Sequence, residues 1–110
     1  MKTILFVLAV CFNQVLFSQN VKKQTVIIQT SAQCGDCKER IEGALNYTKG
    51  VKFAELDLES KKVTVQFLTK KTSLETIKAI IAKIGYDADD VKADISAVQK
   101  LPKCCQPNGN

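Results

Sequence analysis

At 110 residues, with 16 lysines and arginines against 11 acidic side chains, the chain has room for one domain and little more. The net charge of +5 is scattered as pairs, Lys22-Lys23, Lys61-Lys62 and Lys70-Lys71, and Arg40 is the sole arginine, so the basic, aromatic-laced patch of a nucleic-acid binder is absent. There is no histidine, which removes the commonest general base, but there are five cysteines.

The chain opens with Lys2 and then an apolar run from Ile4 to Phe12, interrupted by Asn13 and Gln14 before Val15-Leu16-Phe17. A helix needs about 20 apolar residues to cross a bilayer, and this run is too short and too broken. A basic start, an apolar centre and the small residue Ser18 read as a secretory signal peptide over 1–18. Leu8-Ala9-Val10-Cys11 loosely matches a lipoprotein box, but Val10 is bulky where a small residue is needed, so lipidation at Cys11 is the weaker reading. Without the leader, 15 basic and 11 acidic side chains and four cysteines remain, in a domain large enough to fold without disulfide staples.

Residues 24–30, Gln-Thr-Val-Ile-Ile-Gln-Thr, have the β-branched character of a strand. A short loop leads to Cys34-Gly35-Asp36-Cys37. Cys37, Ile41, Ala44, Leu45 and Thr48 then recur at helical spacing until Gly50. Ala54, Leu56 and Leu58 alternate with acidic residues, and Val63, Val65 and Phe67 with polar ones, which predicts a hairpin turning at Ser60-Lys61-Lys62. Thr72-Ser73-Leu74-Glu75 fits a capping box with Thr72 as the cap. The stripe Leu74, Ile77, Ile80, Ile81, Ile84 predicts a second helix ended by Gly85. A short strand is expected at Val91 to Ala93. Asp94 would cap a last short helix carrying Ile95, Val98 and Leu101, and Pro102 would stop it before a loose Cys104-Cys105 tail. The order predicts an α+β fold of the ferredoxin-like βαββαβ type: a four-stranded antiparallel sheet with two helices on one face.

The chemistry sits at Cys34 and Cys37. A helix start offers free N–H groups and the positive end of the dipole, both favouring thiolate over thiol. Two thiolates two residues apart can converge on one ion, and soft sulfur selects Cu(I), Zn(II) and similar metals over hard cations. A bare C-x-x-C is shared with redox enzymes, zinc sites and disulfides.

Its setting resembles that of the heavy-metal-associated (HMA) domain family, which includes copper chaperones, ATPase amino-terminal domains and the periplasmic mercury-binding protein. The C-x-x-C follows a first strand and opens a first helix, and Ile84-Gly85-Tyr86-Asp87-Ala88 matches the family's I-G-Y-x-A turn. The resemblance runs from Val21 to Ala93. It implies metal capture by Cys34 and Cys37, with Tyr86 beside the ion, and a domain spanning 19–94 followed by a helix and cysteine tail over 95–110. Its metal would be Cu(I) first, with Hg(II) or Zn(II) as alternatives. Its partners would be the ion and a metal-transporting membrane protein or ATPase, with no nucleic acid, the chain being a monomer or a metal-bridged dimer in the periplasm or outside the cell. The family's G-M-T-C-x-x-C here reads Ser31-Ala32-Gln33-Cys34-Gly35-Asp36-Cys37, with Ala32 in place of the methionine.

Adjacent cysteines bridge each other only with strain, so Cys104 and Cys105 have three other roles open. They join Cys34 and Cys37 by a fold-back of the tail, they hold a metal separately, or they form disulfides with other cysteines. Asp36 is either an added oxygen ligand or an ordinary first-turn aspartate favoured by the dipole. Two other classes compete with a non-enzymatic metal carrier. A thiol–disulfide oxidoreductase would use Cys34 as nucleophile, but the tryptophan before the motif and the nearby proline of such proteins are both absent. A secreted domain with two structural disulfides is the remaining reading.

Overall fold

The computed structural model describes residues 22–107. The leader expected over 1–18, Cys11 included, lies outside the described residues. Among those described, no helix is long and apolar enough to cross a membrane.

Three strands, β1 (Lys23–Gln29), β2 (Val51–Asp57) and β3 (Lys62–Leu68), form an antiparallel sheet in the order β1-β3-β2. The period-2 pattern decides which face is dry. Ile28 pairs across from Val63, which pairs with Leu56, while Val65 pairs with Ala54, and all five are buried together with Phe67. Against that face lie α1 (Gly35–Asn46), through Cys37, Ile41 and Leu45, and α2 (Leu74–Lys83), through Ile77 and Ile81. Each fully buried aliphatic side chain of this kind contributes about 1.5–3 kcal/mol from apolar burial.

Helix α1 also protects the edge strand β2. Asn46 accepts from the Ala54 N–H at 3.0 Å and donates to the Ala54 carbonyl at 3.2 Å. Glu42 accepts from the Leu56 N–H at 2.7 Å, and Lys38 donates to the Leu56 carbonyl at 2.8 Å. The outward backbone groups that would otherwise invite strand addition are thereby occupied.

Four expectations are corrected. The fourth strand at Val91 to Ala93 is replaced by two isolated bridges, Ala88 with Thr30 and Ala88 with Val91. Asp89 adopts φ +52, and its carboxylate takes the Gln29 N–H while Asp87 takes the Ala93 N–H, so side chains occupy donors that a ladder would have used. Leu58 leaves the alternation: β2 ends at Asp57, whose carboxylate binds the Glu59 N–H and the Ser60 hydroxyl, and Lys61 turns the chain at φ +63. The cap of α2 is Ser73, which accepts from the Thr76 N–H, and the Thr72 hydroxyl is buried without a partner. The tail is not loose. Asp94 caps α3 (Ile95–Lys100) through the Ser96 N–H as expected, but Pro102 is followed by a 3-10 turn, Lys103–Cys105, that packs against α1.

Candidate metal centre

The loop between β1 and α1 is anchored at both ends. The Thr30 hydroxyl accepts from the Ala32 N–H and donates to the Lys61 carbonyl, and the Ser31 hydroxyl accepts from the Asp87 N–H at 2.9 Å. Ala32, in the family's methionine position, is fully buried in the core. Ser31 ties the cysteine loop to the Gly85-Tyr86-Asp87 turn, a role that the sequence does not signal, since a lone serine before a C-x-x-C reads as ordinary loop.

Cys34 is the N-cap of α1, in extended conformation, and Cys37 lies one turn on, fully buried. Their sulfurs are 3.3 Å apart, and both cysteines are free. The Cys37 backbone N–H draws the Cys34 thiol down to about 7; partial burial opposes this, and the Cys104, Cys37 and Cys105 thiols assist it. This lowering favours the thiolate, the form that binds metal. Asp36 is exposed in the first helical turn.

The tail returns to this point. The Cys34 sulfur lies 3.2 Å from that of Cys104 and 3.5 Å from that of Cys105, and the two tail sulfurs are 3.9 Å apart. These three sulfurs all lie within 4.8 Å of one another. Cys105 is buried and Cys104 exposed. The neighbouring Cys34 sulfur pushes the Cys104 thiol above its ordinary value, and burial pushes Cys105 well above it.

What seats the tail is the glycine turn. Gly85 has φ +110, and a Cβ there would come within 2.9 Å of Leu101 Cδ1, so the missing side chain makes room for Leu101, which is 7% exposed. The Gln106 side chain donates to the Leu101 carbonyl at 2.8 Å, and Gln33 reaches the Pro107 carbonyl at 3.4 Å. Leu101 reads from sequence as the end of an amphipathic helix; its partner Gly85 is distant in the chain and reads as a helix stop.

Tyr86 is fully buried, its hydroxyl beside the Cys37 and Cys105 sulfurs, and it completes no hydrogen bond of good geometry. Burial raises its pKa far above the ordinary value, so the hydroxyl stays a neutral donor facing sulfur. The five sequence-predicted residues, Cys34, Cys37, Tyr86, Cys104 and Cys105, therefore converge on one place.

Residues 31–87 match the model of the heavy-metal-associated domain. The chain is 38% identical over 64 residues to the copper chaperone CopZ of Staphylococcus aureus (strain bovine RF122), covering 58% of this chain and 94% of that one. Among solved structures, oxidized MerP from Ralstonia metallidurans CH34 superposes with a TM-score of 0.60 at 25% identity, over 62% of this chain and 96% of that one. The Cu(I)-loaded N-terminal domain of a potential copper-translocating P-type ATPase from Bacillus subtilis gives 0.59 at 28% identity, over 62% and 86%. The matched segment ends before Asp94, so α3 and the Cys104-Cys105 turn lie outside it. The chain belongs to the heavy-metal-associated domain family.

Proposed function

We propose that this chain is an exported carrier of Cu(I), holding the ion between Cys34 and Cys37 and passing it on by thiolate exchange. The observation that carries the reading is the pair of free sulfurs 3.3 Å apart at the start of α1. Cys34, favoured as thiolate, offers a ligand, and closing both sulfurs on the cation releases whatever thiol protons remain. Soft sulfur donors without histidine or a committed carboxylate favour Cu(I) over hard cations. The Tyr86 hydroxyl, buried beside the Cys37 and Cys105 sulfurs, is placed to donate to a thiolate formed there. Likeness to the CopZ chaperone and to a copper-translocating ATPase domain supports both the cargo and a metal-transporting ATPase as the receiving partner. The leader read over 1–18 supports export to the periplasm or cell exterior, and likeness to a copper chaperone supports a carrier and not an enzyme.

The test is anaerobic titration of the reduced protein with Cu(I), Zn(II) and Hg(II), read by native mass spectrometry, on the parent and on Cys34→Ser/Cys37→Ser. The parent should take up Cu(I) and the variant should not. Preference for Hg(II) or Zn(II) would reassign the cargo, and no uptake of any metal would end the carrier reading. Mass analysis of protein from fractionated cells should find a chain beginning at Gln19; an intact Met1 in the cytoplasm would contradict export.

A further inference from the structure

We infer that the tail supplies Cys104 and Cys105 as ligands to the ion at Cys34, so that cargo captured by the Cys34–Cys37 pair comes to rest in a three-thiolate site of Cys34, Cys104 and Cys105. The inference deepens the carrier reading and rests on it.

Sulfur spacing distinguishes the coordination modes. With a metal–sulfur bond of about 2.3 Å, two sulfurs around one ion are about 4.6 Å apart if linear, about 4.0 Å if trigonal and about 3.8 Å if tetrahedral. The four pairs run 3.3 Å for Cys34–Cys37, 3.2 Å for Cys34–Cys104, 3.5 Å for Cys34–Cys105 and 3.9 Å for Cys104–Cys105. The tail pair already has the separation of a three- or four-sulfur site, and the two gaps from Cys34 to the tail need to open by only about 0.5–0.8 Å to become trigonal. The Cys34–Cys37 pair would have to spread by about 0.7 Å for trigonal and about 1.3 Å for linear coordination, and Cys37 is not among the three sulfurs that all lie within 4.8 Å of one another.

The tail is built to arrive there. Asp94 starts α3, Leu101 fills the space that Gly85 leaves open, and Pro102 holds φ −55 before the turn that brings both thiols round. Gln33 and Gln106 tie its last residues down. Adjacent cysteines in a 3-10 turn point in different directions, which puts Cys105 inside beside Tyr86 and Cys37 and leaves Cys104 in solvent. Cys34 touches all three other sulfurs, so an ion changes partners without leaving it. Cys104, as the exposed ligand, is the one that an incoming thiol of a receiving protein displaces. Three thiolates around a univalent cation leave negative charge, which the N-terminus of α1 offsets in part.

The test is copper X-ray absorption on the reduced protein loaded anaerobically with one equivalent of Cu(I), without added thiol, on the parent, Cys104→Ser/Cys105→Ser and Cys37→Ser. Circular dichroism of each variant reports folding. The parent and Cys37→Ser should show three sulfurs, whereas the tail variant should show two and lose Cu(I) to a chelator at about tenfold lower chelator concentration. A two-sulfur parent with an unaltered tail variant would overturn the inference and leave the Cys34–Cys37 carrier standing. Three sulfurs in the tail variant, or two in Cys37→Ser, would overturn it equally. A parent that binds no Cu(I) would instead sink the carrier reading beneath it.

Discussion

The two cysteine pairs use the same chemistry in opposite settings. Cys34 and Cys37 are separated by one helical turn, so α1 itself brings their sulfurs to 3.3 Å, and β1, the Ser31–Asp87 tie and the core fix where that turn begins. Cys104 and Cys105 are neighbours, their sulfurs 3.9 Å apart and differently exposed, and their position depends on a six-residue helix, on Leu101 and on the Gln33 and Gln106 hydrogen bonds. The first pair is placed by the family fold; the second is delivered to it by an appendage beyond residues 31–87. The family fold thus fixes one cysteine pair, while the other is carried by a segment outside the family match that joins the core through Leu101 and Cys105.

Breaking the pivot should have the largest effect. Cys34→Ser removes the sulfur common to every close contact, and Cu(I) affinity should fall by about a hundredfold or more, roughly 2.8 kcal/mol, against about tenfold for Cys104→Ser/Cys105→Ser; equal losses in a chelator competition would dissolve the distinction between the pairs. Next comes Leu101→Ala. Truncating this buried leucine should cost the tail about 2 kcal/mol of docking, seen as faster amide exchange over residues 95–107 with the sheet still protected. Exchange spreading equally into β3 would show that the tail is part of the core and not an appendage.

The pairs should also differ in pH response. In the reduced, metal-free protein Cys34 is lowered to about 7 while Cys104 and Cys105 are raised, so the Cys34 thiolate fraction grows as pH rises through 7 and the tail thiols lag. Iodoacetamide labelling of Cys34, located by peptide mass spectrometry, should accelerate about tenfold between pH 6 and 8; a flat profile, or Cys104 labelling first, would contradict the ordering. The smallest effect is expected from Asp94→Ala, which removes the cap of α3 at a cost of about 1 kcal/mol. It should loosen the tail by amide exchange and leave the melting temperature of the domain nearly unchanged.

Much of this was legible in the sequence where a local rule decides. Alternation placed Val63, Val65 and Phe67 inside, the 3.6-residue stripe placed Ile77 and Ile81, and C-x-x-C before an amphipathic stretch placed two thiols at a helix start. Errors arose where a neighbour of the same type competes. Thr72 and Ser73 both have capping hydroxyls, and the backbone uses the second. Leu58 continues an apolar alternation, but Asp57 and Ser60 turn the chain first. The strand at Val91 to Ala93 failed because Asp87 and Asp89 offered side-chain acceptors to the local N–H groups. The seat of the tail was the least legible, because it depends on a missing Cβ at Gly85 meeting Leu101 across the fold.

The central claim is that Cys34 and Cys37 hold Cu(I), and the most direct measurement is a competition titration. Reduced parent and Cys34→Ser/Cys37→Ser would be titrated anaerobically against a colorimetric Cu(I) chelator. The parent should withdraw one equivalent of Cu(I) from the chelator, and the variant should leave the chelator complex intact. Equal withdrawal by the two proteins, or none by either, would contradict it.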